Sequence, residues 1–283
     1  MSKISVYEIV TNQIIEALEK GVVPWQAKHN ALFIPPQNYS SGKPYRGINF
    51  FLLACFSDNP FWMTFKQLSA KGGTVKKGSK SRIVCFWKWI HKDKNGKNLA
   101  SEKGAYKSIP CLRYYRVFSA DDIEGIEFVY PEKPELKPNQ KIKKAESIVA
   151  DTGVRILRGN QPLYNPSRDF IKMPEIGQFE SSEYYYKTLF HELTHWTGHS
   201  SRLDRLESTK FGSKKYSKEE LVAEMGAAFL SSRCQIKVDI EHSASYLNSW
   251  IGVLKGDSKM ILSAAGKAQK AVDFILEKSG VPA

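Results

Sequence analysis

Apolar residues recur every three or four positions at Val6, Ile9, Val10, Ile14 and Leu18, which predicts an opening helix closed at Gly21. From Pro24 to Gly47 the chain is rich in Pro, Asn, Ser and Gly and predicts a loop. Trp62 to Ala70 predicts a short helix ending at Gly72-Gly73. The period then changes. Arg82 to Ile90 and Cys111 to Phe118 are dense in β-branched and aromatic residues and predict two strands, with a turn at Asn95-Gly96 in their connection. Alternation sets Arg82, Phe86 and Lys88 on one face of the first strand and Ile83, Cys85, Trp87 and Trp89 on the other. The second set has the composition of a core face, so packing is the first expectation for Trp87 and Trp89, with stacking on bases the alternative.

A seam follows from Asp121 to Gln140. It opens with Asp121, Asp122, Glu124 and Glu127, then carries Pro131, Pro134 and Pro138, a density that excludes a helix interior and predicts an extended linker. Beyond it, Ile142 to Ala150 predicts a helix, and Val154 to Leu157 and Arg168 to Met173 extended chain. Helices follow at about 181–197, 217–233, 243–254 and 258–278. The expected fold class is α+β in two domains, residues 1–125 and 141–283, joined by a Pro-rich linker at 126–140.

Charge sharpens this division. Of a net +13, all lies in residues 1–120, which hold 19 Lys and Arg against 6 Asp and Glu; the rest of the chain balances to zero. Two halves so different in charge imply different partners. No apolar run approaches the roughly 18 residues of a membrane span, and the first ten residues lack the pattern of a signal peptide. Four scattered cysteines form no CxxC pair. Reduced thiols, a cytoplasmic location and no membrane partner are the expectation.

The chemistry concentrates in His191-Glu192-Leu193-Thr194-His195. On a helix, His191 and His195 leave the same face at i and i+4 and can share one ion, while Glu192 can reach water beside it without being a ligand. A metal that acidifies water, with a carboxylate to take the proton, is the minimum for amide hydrolysis at neutral pH. The expected ion is Zn2+, with another divalent metal open. A third ligand is needed. Downstream, Glu220-Leu-Val-Ala-Glu224-Met-Gly-Ala resembles the ligand helix of the gluzincin metallopeptidases, with Glu in place of the usual Asp. That resemblance implies Glu220 as ligand and Glu224 as the acid supporting a ligating histidine, and the i, i+4 spacing leaves the reverse assignment open. His199 falls two residues short of the third metzincin histidine, so its expected place is structural or behind the ligands. Tyr164 and Tyr216 are weaker candidates to polarise a scissile carbonyl, as zincin tyrosines do.

The basic half also holds 18 of the 34 Phe, Trp and Tyr residues. Cations interleaved with rings suit a single nucleic-acid strand, with charges along the phosphates and ring faces beneath the bases. The candidates for DNA contact are Trp25, Lys43, Tyr45, Arg46, Lys77, Lys80, Arg82, Arg113 and Arg116. Trp25 and Tyr45 lie in the loop region, where a ring has less call to be core.

Taken together, the chain resembles the ArdC-type antirestriction proteins of conjugative plasmids and related mobile elements. The likeness is carried by Pro24-Trp25, Ser41-Gly42, Tyr45-Arg-Gly-Ile-Asn49, Trp62-Met-Thr-Phe-Lys-Gln67, His191-Glu-Leu-Thr-His-Trp-Thr-Gly-His199, Ser201-Arg-Leu203 and Glu219-Glu-Leu-Val-Ala-Glu224. It implies a single-stranded-DNA-binding N-terminal domain, a zincin-like C-terminal domain with a possible protein substrate, and protection of incoming DNA from restriction. A chain at +13 cannot act as an acidic DNA mimic. The rival expectation is a non-enzymatic DNA-coating or replication-accessory protein whose metal site only stabilises the fold.

Overall fold

The computed structural model describes residues 4–24, 35–57, 59–103, 105–130, 142–206, 214–236 and 244–280. The N-terminal domain opens with α1 (Val6–Glu19), followed by β1 (Gln37–Asn38), α2 (Ile48–Ala54), β2 (Phe61–Met63), α3 (Phe65–Ala70) and β3 (Thr74–Val75). The long strands β4 (Arg82–Lys92) and β6 (Lys107–Ser119) flank β5 (Asn98–Leu99), and β7 (Ile123–Glu124) ends the run. The stripe read from the sequence does build α1. Its start is fixed by Ser5, whose hydroxyl accepts from the Glu8 amide at 3.2 Å while the Glu8 carboxylate accepts from the Ser5 amide at 2.8 Å. The main sheet runs β1-β2-β6-β4-β5, parallel at β1-β2 and antiparallel elsewhere.

The C-terminal domain comprises α4 (Lys143–Asp151), β8 (Ile156–Arg158), β9 (Leu163–Asn165), β10 (Phe170–Met173), α5 (Ser182–Thr197), α6 (Lys214–Arg233), α7 (Ala244–Lys255) and α8 (Met260–Lys278). Its small sheet has the order β8-β10-β9, leaving β9 at the edge. The fold is α+β in two domains, as the pattern implied. Among the described residues, no helix is long and apolar enough to cross a membrane, and the four cysteines are free.

Three expectations need correction. The first concerns the seam. Ile126 to Tyr130, assigned to a linker on its proline-rich neighbourhood, is docked on the N-terminal domain: Phe128 packs 4.7 Å from the Tyr39 ring and Tyr130 stacks on Phe61 at 5.0 Å. Residues 131–141 lie outside the described residues. Nor are the halves merely tethered, because one hydrophobic core runs through both. Phe50 and Phe51 of α2 meet Phe229 of α6 at 5.2 and 4.9 Å, and Thr11 of α1 donates to the Ser258 carbonyl at 2.8 Å. Aromatic area outweighs linker composition here.

The second correction concerns β4. Cross-strand partners share a face, so Ile83, Cys85, Trp87 and Trp89 stand with Arg116, Tyr114, Leu112 and Pro110. Ile83, Cys85 and Leu112 enter the core, yet Trp87 and Trp89 are 53% and 54% exposed. The hairpin outruns the body that covers its base, and beyond Cys85 both of its faces meet solvent. The third concerns Tyr45. It is 9% exposed and packs with Leu53, Trp62, Val84 and Val117, leaving no open ring face for a base.

Candidate metal centre and nucleic-acid surface

α5 carries the metal motif because its other positions are committed to the core. Ser181 caps it, accepting from the Tyr184 amide at 3.1 Å, and Tyr186, Leu189, Phe190, Leu193 and Trp196 bury one face. His191 and His195 therefore emerge together toward α6, and Glu192 lines the same cleft. α6 approaches closely because residue 226 is glycine: a Cβ there would collide with the buried side chain of Thr194. That contact brings the acids of α6 level with the two histidines.

Three ligand-type atoms converge. His191 Nε2 lies 3.1 Å from His195 Nε2, and the Glu220 carboxylate oxygens lie 3.5 Å from each. A metal bound at about 2.0–2.1 Å in tetrahedral geometry requires ligand-to-ligand edges of about 3.3 Å. The contacts at 3.1 and 3.5 Å are close to that requirement, the two to Glu220 being made by its two different oxygens. With one ligand atom from each residue, His191, His195 and Glu220 lie within 4.8 Å of one another, the one such group of three among the described residues.

Carboxylates also stand near the outer imidazole nitrogens. Glu224 Oε1 lies 3.6 Å from His191 Nδ1, within ion-pair range and beyond a hydrogen bond. Behind His195, Glu219 Oε1 lies 3.2 Å from Nδ1. Sequence reasoning gave Glu219 no role. Arg205 grips both its oxygens, donating from Nε at 2.8 Å and Nη2 at 2.9 Å, and also donates from Nη2 to the Thr194 carbonyl at 2.7 Å. Such partners fix ring orientation and make the ligand more basic. The electrostatics follow. Burial opposes charge on His195, but Glu219 and Glu220 outweigh it and push its pKa up to about 10. Burial likewise works against Glu220, yet His191 and His195 hold it well below the usual carboxylate range. The paired acids at 219 and 220 were the available signal for Glu219. Arg205 gave none, since it reaches back from a loop beyond the helix.

His199 is hydrogen-bonded through its Nδ1 to Ser201 Oγ at 2.8 Å. Tyr164 lines the cleft, but its hydroxyl donates to Asp169 at 2.8 Å and accepts from Arg202 at 3.1 Å. Arg202 also stacks on Trp196 with 4.0 Å to the ring centroid, tying the β9–β10 turn to the end of α5. The side chain of Tyr216 lies outside the described residues. The cleft itself is about 800 Å³.

The second surface is the β4–β6 hairpin. On one face Phe86 and Tyr115 pack 5.9 Å apart at 42% and 40% exposure, with Arg113 directly across from Phe86 and Lys88 beside it. The other face carries Trp87, Trp89 and Tyr114. Arg116 is exposed and donates to Ser81 at 3.1 Å. Lys43, Lys77 and Lys80 are exposed elsewhere on the domain. Arg82 lies 3.8 Å over the Phe56 ring, and Arg46 is ion-paired with Asp273 of α8, so both serve the fold. Trp25 lies outside the described residues. Arg113 and Arg116 were expected contact residues, and exposed rings lie between and beside them.

Residues 4–118 match the model of the N-terminal domain of anti-restriction factor ArdC, and residues 143–267 match that of a zincin-like metallopeptidase. The chain is 36% identical over 288 residues to a DNA primase TraC of Escherichia coli, covering 95% of this chain but 20% of the primase. It thus spans about a fifth of that relative. Among solved structures it is similar to the antirestriction ArdC protein from plasmid R388 in its metal-free form, with a TM-score of 0.79, 35% identity and 98% of both chains covered. The Mn(II)-bound structure of the same protein gives a TM-score of 0.77.

Proposed function

The chain belongs to the ArdC family of antirestriction proteins, and from that premise we propose that it binds single-stranded DNA through its β4–β6 hairpin and hydrolyses amide bonds at a zinc centre. The observation that carries the reading is the convergence of His191, His195 and Glu220 on one point, with Glu192 in the same cleft. Two imidazoles and a carboxylate form a donor set suited to zinc, with room left for water or substrate. Bound there, the metal supplies Lewis acidity toward a carbonyl and lowers the pKa of water.

The remaining work belongs to the chain. Glu219 holds the outer nitrogen of His195, and Glu224 stands in ion-pair range of that of His191, which supports both rings presenting their inner nitrogens to the centre. Glu192 takes the proton of the attacking water on its carboxylate and returns it to the departing amine. A purely structural metal site has no use for a carboxylate at that position.

On the hairpin, exposed rings offer stacking surfaces and Lys88, Arg113 and Arg116 offer charge for phosphates. Their setting supports single strands over duplex, because paired bases hide their faces. The domain-wide excess of +13 in residues 1–120 supports an affinity dominated by phosphate contacts.

Glu192→Gln tests the enzyme. Protection of transferred DNA should be lost while metal content and DNA affinity stay as in the wild type. Unchanged protection would mean that the chain works by coating DNA and that the chemistry is dispensable.

A further inference from the structure

We infer that the metal cleft selects an acidic peptide segment, read by Lys259 and Lys267 on one wall. The inference rests on the peptidase reading of that cleft. Its charges sort into two classes. Arg205 is consumed by Glu219, and Lys218 pairs with Asp257 at 3.3 Å. Glu192, Glu220 and the two histidines serve the centre itself. Two cations remain, Lys259 and Lys267, both exposed and neither in an ion pair among the described residues; the Lys259 ammonium stands 5.7 Å over the Tyr7 ring, a contact that leaves its charge unneutralised. With the acids of the floor engaged by a divalent ion, the charge left without an ionic partner in the cleft is positive.

The two lysines are placed as a pair. Lys259, Ser263 and Lys267 follow one another at i, i+4 and i+8 along the start of α8, and all three line the cleft. Eight residues of helix separate the lysines by about 12 Å, so each can meet its own carboxylate. The other wall argues for peptide. β9 is the edge strand of its sheet, and Leu163 and Tyr164 line the cleft. An edge strand offers unpaired backbone groups to which an extended peptide can add, a recognition mode with no use for a nucleic-acid strand. Charge complementarity then chooses among peptides.

The test uses the full chain carrying Glu192→Gln, loaded with zinc, and fluorescent peptides of one length flanked by Asp and Glu, by Ser and Ala, or by Lys and Arg. Acidic peptides should bind about tenfold more tightly than neutral ones, with basic peptides weakest, a size in keeping with two solvent-accessible charge pairs. Lys259→Glu with Lys267→Glu should reverse that order, and both positions are exposed, so the fold should survive. Equal binding of the three sets, no binding of any, or a preference that survives the reversal would overturn the inference. So would displacement of the acidic peptide by a single-stranded oligonucleotide that fails in the reversed variant, since the cleft would then be a nucleic-acid site. Cleavage by the wild-type chain is measured separately. An acidic preference in binding without Glu192-dependent cleavage would support the selectivity and remove the hydrolysis.

Discussion

The metal cleft and the β4–β6 hairpin lie on one protein and use charge in opposite ways. In the cleft, Arg205 holds Glu219, Glu219 holds His195, and Glu220 stands between two imidazoles. On the hairpin, Lys88 and Arg113 enter no ion pair among the described residues and stand beside half-exposed rings. The first arrangement locks its side chains against one another, as the proposed metal would require. The second leaves its side chains free to adapt, as the proposed binding of a single strand would require. Preorganisation belongs where geometry is the function, and adaptability where the ligand has many conformations.

The comparison can be broken at several points. The strongest effect should come from the core that joins the two regions. Phe229→Ala removes the ring that meets Phe50 and Phe51, and should destabilise the chain by about 3–5 kcal/mol. Both domains should unfold together in denaturant as one transition. Two separated transitions, with only the C-terminal one shifted, would show that the shared core does not couple them.

Arg205→Ala comes next. It strands the Glu219 carboxylate and frees the His195 ring, so metal affinity should fall by about 10–100-fold, read by competition with a chelator. DNA binding should not change. Gly226→Ala should act on the same site through spacing. The new methyl meets Thr194, and the rearrangement should destabilise by about 1–3 kcal/mol and weaken metal binding with every ligand still present. Full metal affinity in that variant would mean that close helix approach is not what aligns Glu220.

The hairpin should give the smallest effects on stability and clear ones on binding. Phe86→Ala or Tyr115→Ala should cost about 1–3 kcal/mol of single-strand affinity per stacked base, by fluorescence titration, with melting temperature nearly unchanged. Lys88→Ala should weaken all sequences alike and reduce the log–log salt slope by roughly 0.7. A large loss of stability without loss of binding would return these rings to a packing role.

How legible all this was depended on whether the deciding contact was local. The helix that carries His191 and His195 was readable because its apolar spacing and motif spacing agree, and α6 and α8 fall within a few residues of their expected bounds. Glu220 was readable as a ligand only beside its alternative, Glu224; the packing of α6 on α5 places Glu220 between the imidazoles and Glu224 behind one of them. β4 was readable as a strand, but alternation says which residues share a face and not how far the body covers it. Trp87 and Trp89 were misjudged for that reason. Tyr45 failed the other way: a loop-like neighbourhood gave no hint that the segment closes over Trp62 and Val117. β9 and α2 were not foreseen, being too short for either period to declare itself.

The most direct measurement is a calorimetric titration of Zn2+ into chelator-treated full-length protein. The wild type should bind one ion per chain, Glu224→Ala should bind it about 10–100-fold more weakly, and Glu220→Ala should not bind it measurably. Binding that survives in Glu220→Ala, or its absence from the wild type, would contradict the centre formed by His191, His195 and Glu220.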